Sequence, residues 1–257
     1  MATKIRGSAT ASWFFLDAVE MTASPDAFAV MAFGDSITDG TASTMNGDDR
    51  WPNVLSRRLK ALYGNKVAVV NGGIGGNQIA GPAEYGPDKA FAGGPASGQR
   101  LDRDVLSLSG ISSLIWLEGI NDFSKNGNAS TDQGIAAMKD GVARLRTKWP
   151  QVRVIGATVV SALGSTSAAH GFPEQDAKRK ALNEFIRTSG TFDGVIDFDH
   201  ATLDPASGGL KPEFVPESTA GGAGDKLHPN RTGYLAMGQA IDLDLFKPGR
   251  SSRGAKK

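Results

Sequence analysis

The feature that most constrains this chain is an alternation. Short apolar runs end in small polar turns, and each is followed by a stretch with apolar residues at helical spacing. Residues 27–33 (AFAVMAF), 66–70, 112–117 (SSLIWL), 152–160 and 194–198 (GVIDF) read as strands. Residues 51–63, 99–108, 132–149, 174–188 and 231–246 read as helices. In 51–63 the spacing puts Val54, Leu55, Leu59 and Leu62 on one side and Arg57, Arg58 and Lys60 on another. Trp51-Pro52 suits the start of that helix, because proline fits a first turn. Strands that are apolar throughout need cover on both faces, so the pattern predicts a parallel sheet between helices. Right-handed crossovers then make it a three-layer α/β/α sandwich.

One domain over residues 27–247 accounts for the alternation. Residues 1–26 stand outside it and read as an N-terminal extension or an added strand around Trp13-Phe14-Phe15-Leu16. Residues 248–257 read as a flexible basic tail. Asp17 and Glu20 interrupt the early apolar patch and make it a poor signal peptide, which leaves the compartment open. No apolar run approaches the roughly 18–20 residues of a membrane span. With 28 basic and 27 acidic side chains, the chain has no electrostatic pull toward nucleic acid or an anionic membrane. The absence of cysteine excludes disulfides, a thiol nucleophile and thiolate metal sites. Nothing in the sequence specifies an oligomeric state.

The chemistry gathers where strands end. The first runs into Gly34-Asp35-Ser36-Ile37-Thr38-Asp39-Gly40. The second meets Asn71-Gly72-Gly73-Ile74-Gly75-Gly76-Asn77, and the third meets Glu118-Gly119-Ile120-Asn121-Asp122. Asp225-Lys226-Leu227-His228-Pro229 precedes the last helix. A serine becomes a useful nucleophile only when a base accepts its proton. That base is most often a histidine held by a carboxylate. Of the 3 histidines, His228 alone has an acid three residues before it in a loop leading into a helix. Asp225 and His228 can therefore project to one side, with Ser36 as the nucleophile they serve. Acyl transfer also needs donors aimed at a developing oxyanion. The Ser36 N–H, the Gly76 N–H and the Asn121 amide can supply them.

These four blocks resemble the SGNH hydrolases, also called GDSL esterases and lipases. Gly34-Asp35-Ser36-Ile37 is similar to the block that names the family. Asn71 to Asn77 looks like its N-x-G-x-x-G block, Gly119 to Asp122 its G-x-N-D, and Asp225 to Pro229 its D-x-x-H-P. All four occur in family order between Phe33 and about Tyr234. The resemblance implies a flavodoxin-like five-stranded parallel sheet of order 2-1-3-4-5. It implies an oxyanion hole of Ser36, Gly76 and Asn121 and a triad of Ser36, His228 and Asp225. It implies ester hydrolysis with no cofactor and a small-molecule or carbohydrate ester as substrate. Short-chain acyl esters lead, since the loops hold few bulky apolar residues, and acetylated sugars follow.

Each signal has a plainer counterpart. A turn serine often caps the next helix. Asp35, Asp39 and Asp122 suggest a metal, but hydrogen bonding to backbone near the serine turn explains them better, and histidines are too few for zinc ligation. His170 fits either a pocket wall or an ordinary loop. His200 reads as structural and Trp116 as core. A phosphate-binding reading of the glycine loops lacks the G-x-x-x-x-G-K-[ST] pattern, and the dinucleotide fingerprint from Gly73 meets Gln78. An α/β-hydrolase elbow would need glycine at Thr38. A non-catalytic carbohydrate-binding relative is the remaining alternative of a different class. The loops 78–98 and 204–224 lack periodicity and follow strands, on the side where such sheets bind ligands.

Overall fold

A computed structural model describes residues 18–247 of the chain. The strands are β1 (Phe28–Gly34), β2 (Val67–Gly73), β3 (Ile111–Leu117), β4 (Arg153–Ala157) and β5 (Gly194–Ile196). They form one parallel sheet in the order β2-β1-β3-β4-β5. The order reverses at β1, so the carboxyl ends of β1, β2 and β3 meet at the switch point where open sheets of this kind bind ligands. There Gly34 pairs with Gly73 on one side and Leu117 on the other. The middle of β1, Val30 to Phe33, is at most 1% exposed. Leu114 to Leu117 of β3 are equally enclosed. Both strands are covered on two faces, which explains their unbroken apolar runs.

The helices are α1 (Ser36–Asp39), α2 (Trp51–Tyr63), α3 (Ser97–Leu101), α4 (Thr131–Lys148), α5 (Pro173–Thr188), α6 (Phe198–Thr202) and α7 (Arg231–Ala240). Helix α2 starts with proline in its first turn and buries Val54, Leu55 and Leu59 against β2 and α7. Leu62, expected on that face, lies in the last turn and is exposed. Ser130 opens α4 with a reciprocal cap. Its Oγ accepts from Gln133 N at 3.1 Å, and Gln133 Oε1 accepts from Ser130 N at 2.8 Å.

Several boundaries differ from the sequence expectation. The helix at 99–108 is the short α3 followed by a wide π-type turn, Asp102–Leu106. The strand at 152–160 stops at Ala157. Residues 158–160 stay buried: Thr158 N donates to Ile196 O of β5 at 3.0 Å, while Val159 N turns to a side chain and donates to Asn183 Oδ1 at 2.7 Å. The last helix ends at Ala240, and a separate 3-10 turn, Leu243–Phe246, follows. Asp242 caps that turn through Asp244 N. Residues 18–27 contain no strand, and Glu20 accepts from the backbone and hydroxyl of Ser109. The rest of the segment in which an added strand was expected, and the basic tail at 248–257, lie outside the described residues. Among the described residues no helix is long and apolar enough to cross a membrane.

Candidate active site

Ser36 is the first residue of α1, immediately beyond β1. The turn that presents it has little freedom. Asp35 caps α1, accepting from Ile37 N at 2.9 Å. Gly40, at φ +103°, closes the turn by donating to Ser36 O at 2.8 Å. A Cβ on Gly34 would overlap the carbonyl oxygen of Leu117. Glycine there lets β1 and β3 approach closely where the Ser36 loop leaves the sheet.

His228 comes from the loop before α7 and reaches Ser36. Its Nε2 lies 2.8 Å from Ser36 Oγ. Its Nδ1 lies 2.6 Å from Asp225 Oδ2. The other carboxylate oxygen, Oδ1, accepts from Leu227 N and His228 N, each at 2.9 Å. One aspartate thus turns the chain and holds the imidazole. The turn puts Lys226 at φ +58°. Burial raises the Asp225 carboxyl, but the His228 hydrogen bond and charge and the two backbone N–H groups outweigh it and hold it down at about 2. The Asp225 carbonyl accepts from Ser165 Oγ at 2.7 Å and Thr166 N at 3.0 Å. The loop after β4 therefore braces the histidine loop.

The glycine loop lies against α1. Asn71 Nδ2 donates to Thr38 O at 2.8 Å, and Ile74 N donates to Gly34 O at 3.0 Å. A Cβ on Gly73 would overlap Asp39 N, and one on Gly75 would stand 4.0 Å from Ser36 Cβ. Gly76 follows at φ +81°, a backbone shape that side chains resist. Asn121, 9% exposed, uses one amide proton on Asn77 O at 3.0 Å, leaving the second for another acceptor. Ser36, His228, Asp225, Asn121 and the loop carrying Gly76 thus converge on one edge of the sheet.

Asp122, Glu118 and Asp35 are hydrogen-bonded within the protein. Asp122 accepts from Ile79 N at 2.9 Å and Ala80 N at 2.8 Å. It pins the start of the 78–98 loop rather than the serine turn. Burial pushes its carboxyl up to about 7 despite those two bonds. Glu118 is fully enclosed and binds Trp116 Nε1 at 2.8 Å and the Ser97 hydroxyl. Asp35 and Glu118 are raised by burial, and Glu118 adds to the rise at Asp35. His170 Nδ1 lies 3.2 Å from Ser167 Oγ, and its Nε2 is enclosed. Burial lowers its pKa, and so does the charge of nearby His228. His200 is exposed, and its backbone N–H is held by Asp197. The largest omission from the sequence reading is Arg100. The alternating Asp and Arg around it mark only a helix, but Arg100 is 1% exposed beneath the glycine loop.

The fold and the polar edge above β1, β2 and β3 define a class: an α/β protein with a polar cluster at its topological switch point, where such sheets bind ligands. Residues 32–236 match the sequence profile of the GDSL-like lipase/acylhydrolase family, and the chain belongs to that family. It is a carboxylic ester hydrolase by family. Three solved structures share the fold. A carbohydrate acetylesterase family member from Sinorhizobium meliloti is 17% identical, with a TM-score of 0.61 over 85% of this chain and 97% of that one. The native aryl esterase of M. smegmatis is 16% identical, with a TM-score of 0.59 over 83% of this chain and 96% of that one. A GDSL-like lipase from Bacteroides thetaiotaomicron is 17% identical, with a TM-score of 0.60 over 85% of this chain and 88% of that one. No significant match was found among curated proteins.

Proposed function

We propose that this enzyme hydrolyses short-chain acyl esters through an acyl-enzyme on Ser36. The observation that carries the reading is the unbroken line from Ser36 Oγ to His228 Nε2 at 2.8 Å and from Nδ1 to Asp225 at 2.6 Å. As Ser36 Oγ bonds to the ester carbonyl carbon, its proton passes to His228 Nε2. The negative charge that develops on the carbonyl oxygen is taken by the Ser36 N–H, the Gly76 N–H and the free amide proton of Asn121. The C–O bond to the alcohol then breaks, and His228 gives the alcohol its proton. Water repeats the sequence on the acyl-enzyme, passes a proton to His228 and releases the acid and Ser36. Asp225, ionised at neutral pH, holds the tautomer and faces the imidazolium. No step calls for a cofactor.

Acetylated carbohydrate is the second substrate reading, supported by the likeness in fold to the Sinorhizobium acetylesterase family member. Rates on p-nitrophenyl esters of increasing chain length, beside acetylated xylan and sugar acetates, separate the two. Ser36→Ala is expected to lower turnover by about 10⁴-fold or more and to abolish labelling by a fluorophosphonate. Hydrolysis or labelling that persists in that variant would refute the mechanism.

A further inference from the structure

Arg100 belongs neither to the four motif blocks nor to the line of Ser36, His228 and Asp225. Its guanidinium is nevertheless enclosed and bonded in several directions. Nε donates to Asn77 Oδ1 at 2.7 Å. Nη1 donates to Gly72 O and Asp104 Oδ2, both at 2.9 Å. Nη2 donates to Gly34 O at 2.8 Å. The guanidinium carbon sits over the Phe33 ring, 3.8 Å from its centre. Few features warrant burying a cation this completely, and here the compensation is a nearly full set of charge-assisted hydrogen bonds.

The partners are the points where the loops of the site leave the sheet. Gly34 ends β1, two residues before Ser36. Gly72 and Asn77 bracket the turn that holds Gly76. Asn77 passes the link on. Its carbonyl accepts the Asn121 amide at 3.0 Å, and its Nδ2 holds Gly93 O at 2.6 Å and Pro95 O at 2.8 Å. One guanidinium therefore touches the peptide leading to Ser36, both flanks of Gly76, and the residue that aims Asn121.

We infer that Arg100 is the positioning residue of the oxyanion hole, setting the distance between the Ser36 turn and the glycine loop and, through Asn77, the aim of Asn121. The inference rests on the reading of Ser36, Gly76 and Asn121 as oxyanion donors. Lysine cannot replace it, because an ammonium is a point charge without the planar fork that reaches Gly34, Gly72 and Asn77 together.

The test is a kinetic cycle with Arg100→Lys, Asn121→Ala and the double variant on p-nitrophenyl acetate. Circular dichroism and thermal unfolding check that each is folded. Arg100→Lys is expected to lower kcat by about 10²-fold, the scale set by a displacement of about 1 Å in a catalytic geometry, with KM little changed. The double variant is expected to lose clearly less than the product of the two single losses, since Arg100→Lys already misplaces the donor that Asn121→Ala removes. Losses that multiply overturn the inference, because they mean Arg100 acts independently of Asn121. A wild-type kcat in Arg100→Lys beside an impaired Asn121→Ala also overturns it and leaves the oxyanion reading intact. An unimpaired Asn121→Ala defeats that reading and this inference with it. If Arg100→Lys does not fold, Asn77→Ala removes the same link and takes its place in the cycle, judged by the same criterion.

Discussion

Asp225 uses its two oxygens for different ends, one to shape its own loop and one to hold His228. Asp225→Asn keeps the volume but reverses one hydrogen-bond direction, so it favours the wrong imidazole tautomer. The expected loss in kcat is about 10⁴-fold, read from steady-state rates on an activated ester. The same residue has a stability consequence. Its carboxyl stands at about 2 against an ordinary 3.8. Between those values the unfolded chain holds a proton that the folded chain does not. The stabilisation is therefore complete above the ordinary value and is lost as pH falls toward the folded one. Urea midpoints measured from neutral pH into that acid range should drop for the native enzyme and drop less steeply for Asp225→Asn. Parallel curves would show that the pairing adds nothing to stability.

At the scale of elements, β1, α1 and the glycine loop act as one piece because backbone meets backbone there. Gly73→Ala would drive a methyl group into Asp39 N and the Thr38 carbonyl carbon. Neither is the end of a flexible side chain, so α1 must shift and carry Ser36 with it. Turnover should fall by about 10²-fold, the cost of a small misalignment of reacting groups, with a destabilisation of about 1–3 kcal/mol from overpacking. Normal turnover in Gly73→Ala would mean that the glycine loop moves independently of Ser36. Helix α4 offers a contrast far from the chemistry. Ser130→Ala removes one side of a capping box and should cost about 1 kcal/mol in denaturant unfolding without changing kcat.

Across the whole molecule, the half of the sheet beyond β3 is joined by a buried ion-pair network rather than by apolar packing alone. Arg179, 1% exposed, reaches Asp176 on its own helix at 2.8 Å, Val159 O after β4 at 2.9 Å and Asp199 on α6 at 2.6 Å. Arg179→Met would leave two nearly buried carboxylates facing an apolar chain. Breaking a buried pair costs about 3–5 kcal/mol, and the lower end applies because Lys180 still faces Asp176 and Arg187 still faces Asp199. Urea unfolding reads the loss directly. An unchanged midpoint would show that the two lysine and arginine neighbours suffice.

The sequence by itself determined the strands, the long helices and the family, because apolar periodicity and the four motif blocks are local patterns. A run such as 112–117 must be enclosed wherever it goes, and D-x-x-H-P places an acid beside a histidine without help from the rest of the chain. Only the tertiary structure decided where those patterns stop and what they meet. Strand and helix ends moved because backbone past Ala157 and Ala240 bonds to side chains such as Asn183 and Asp242, which no periodicity reports. Leu62, in the last turn of α2, is exposed although its spacing matches the buried Leu55 and Leu59. Arg100 is the clearest case. Its neighbours in sequence mark only a helix, while its partners Gly34, Gly72 and Asn77 lie 66, 28 and 23 residues away. Burial of a charge is set by what the fold brings around it, and contacts at that separation leave no local signature.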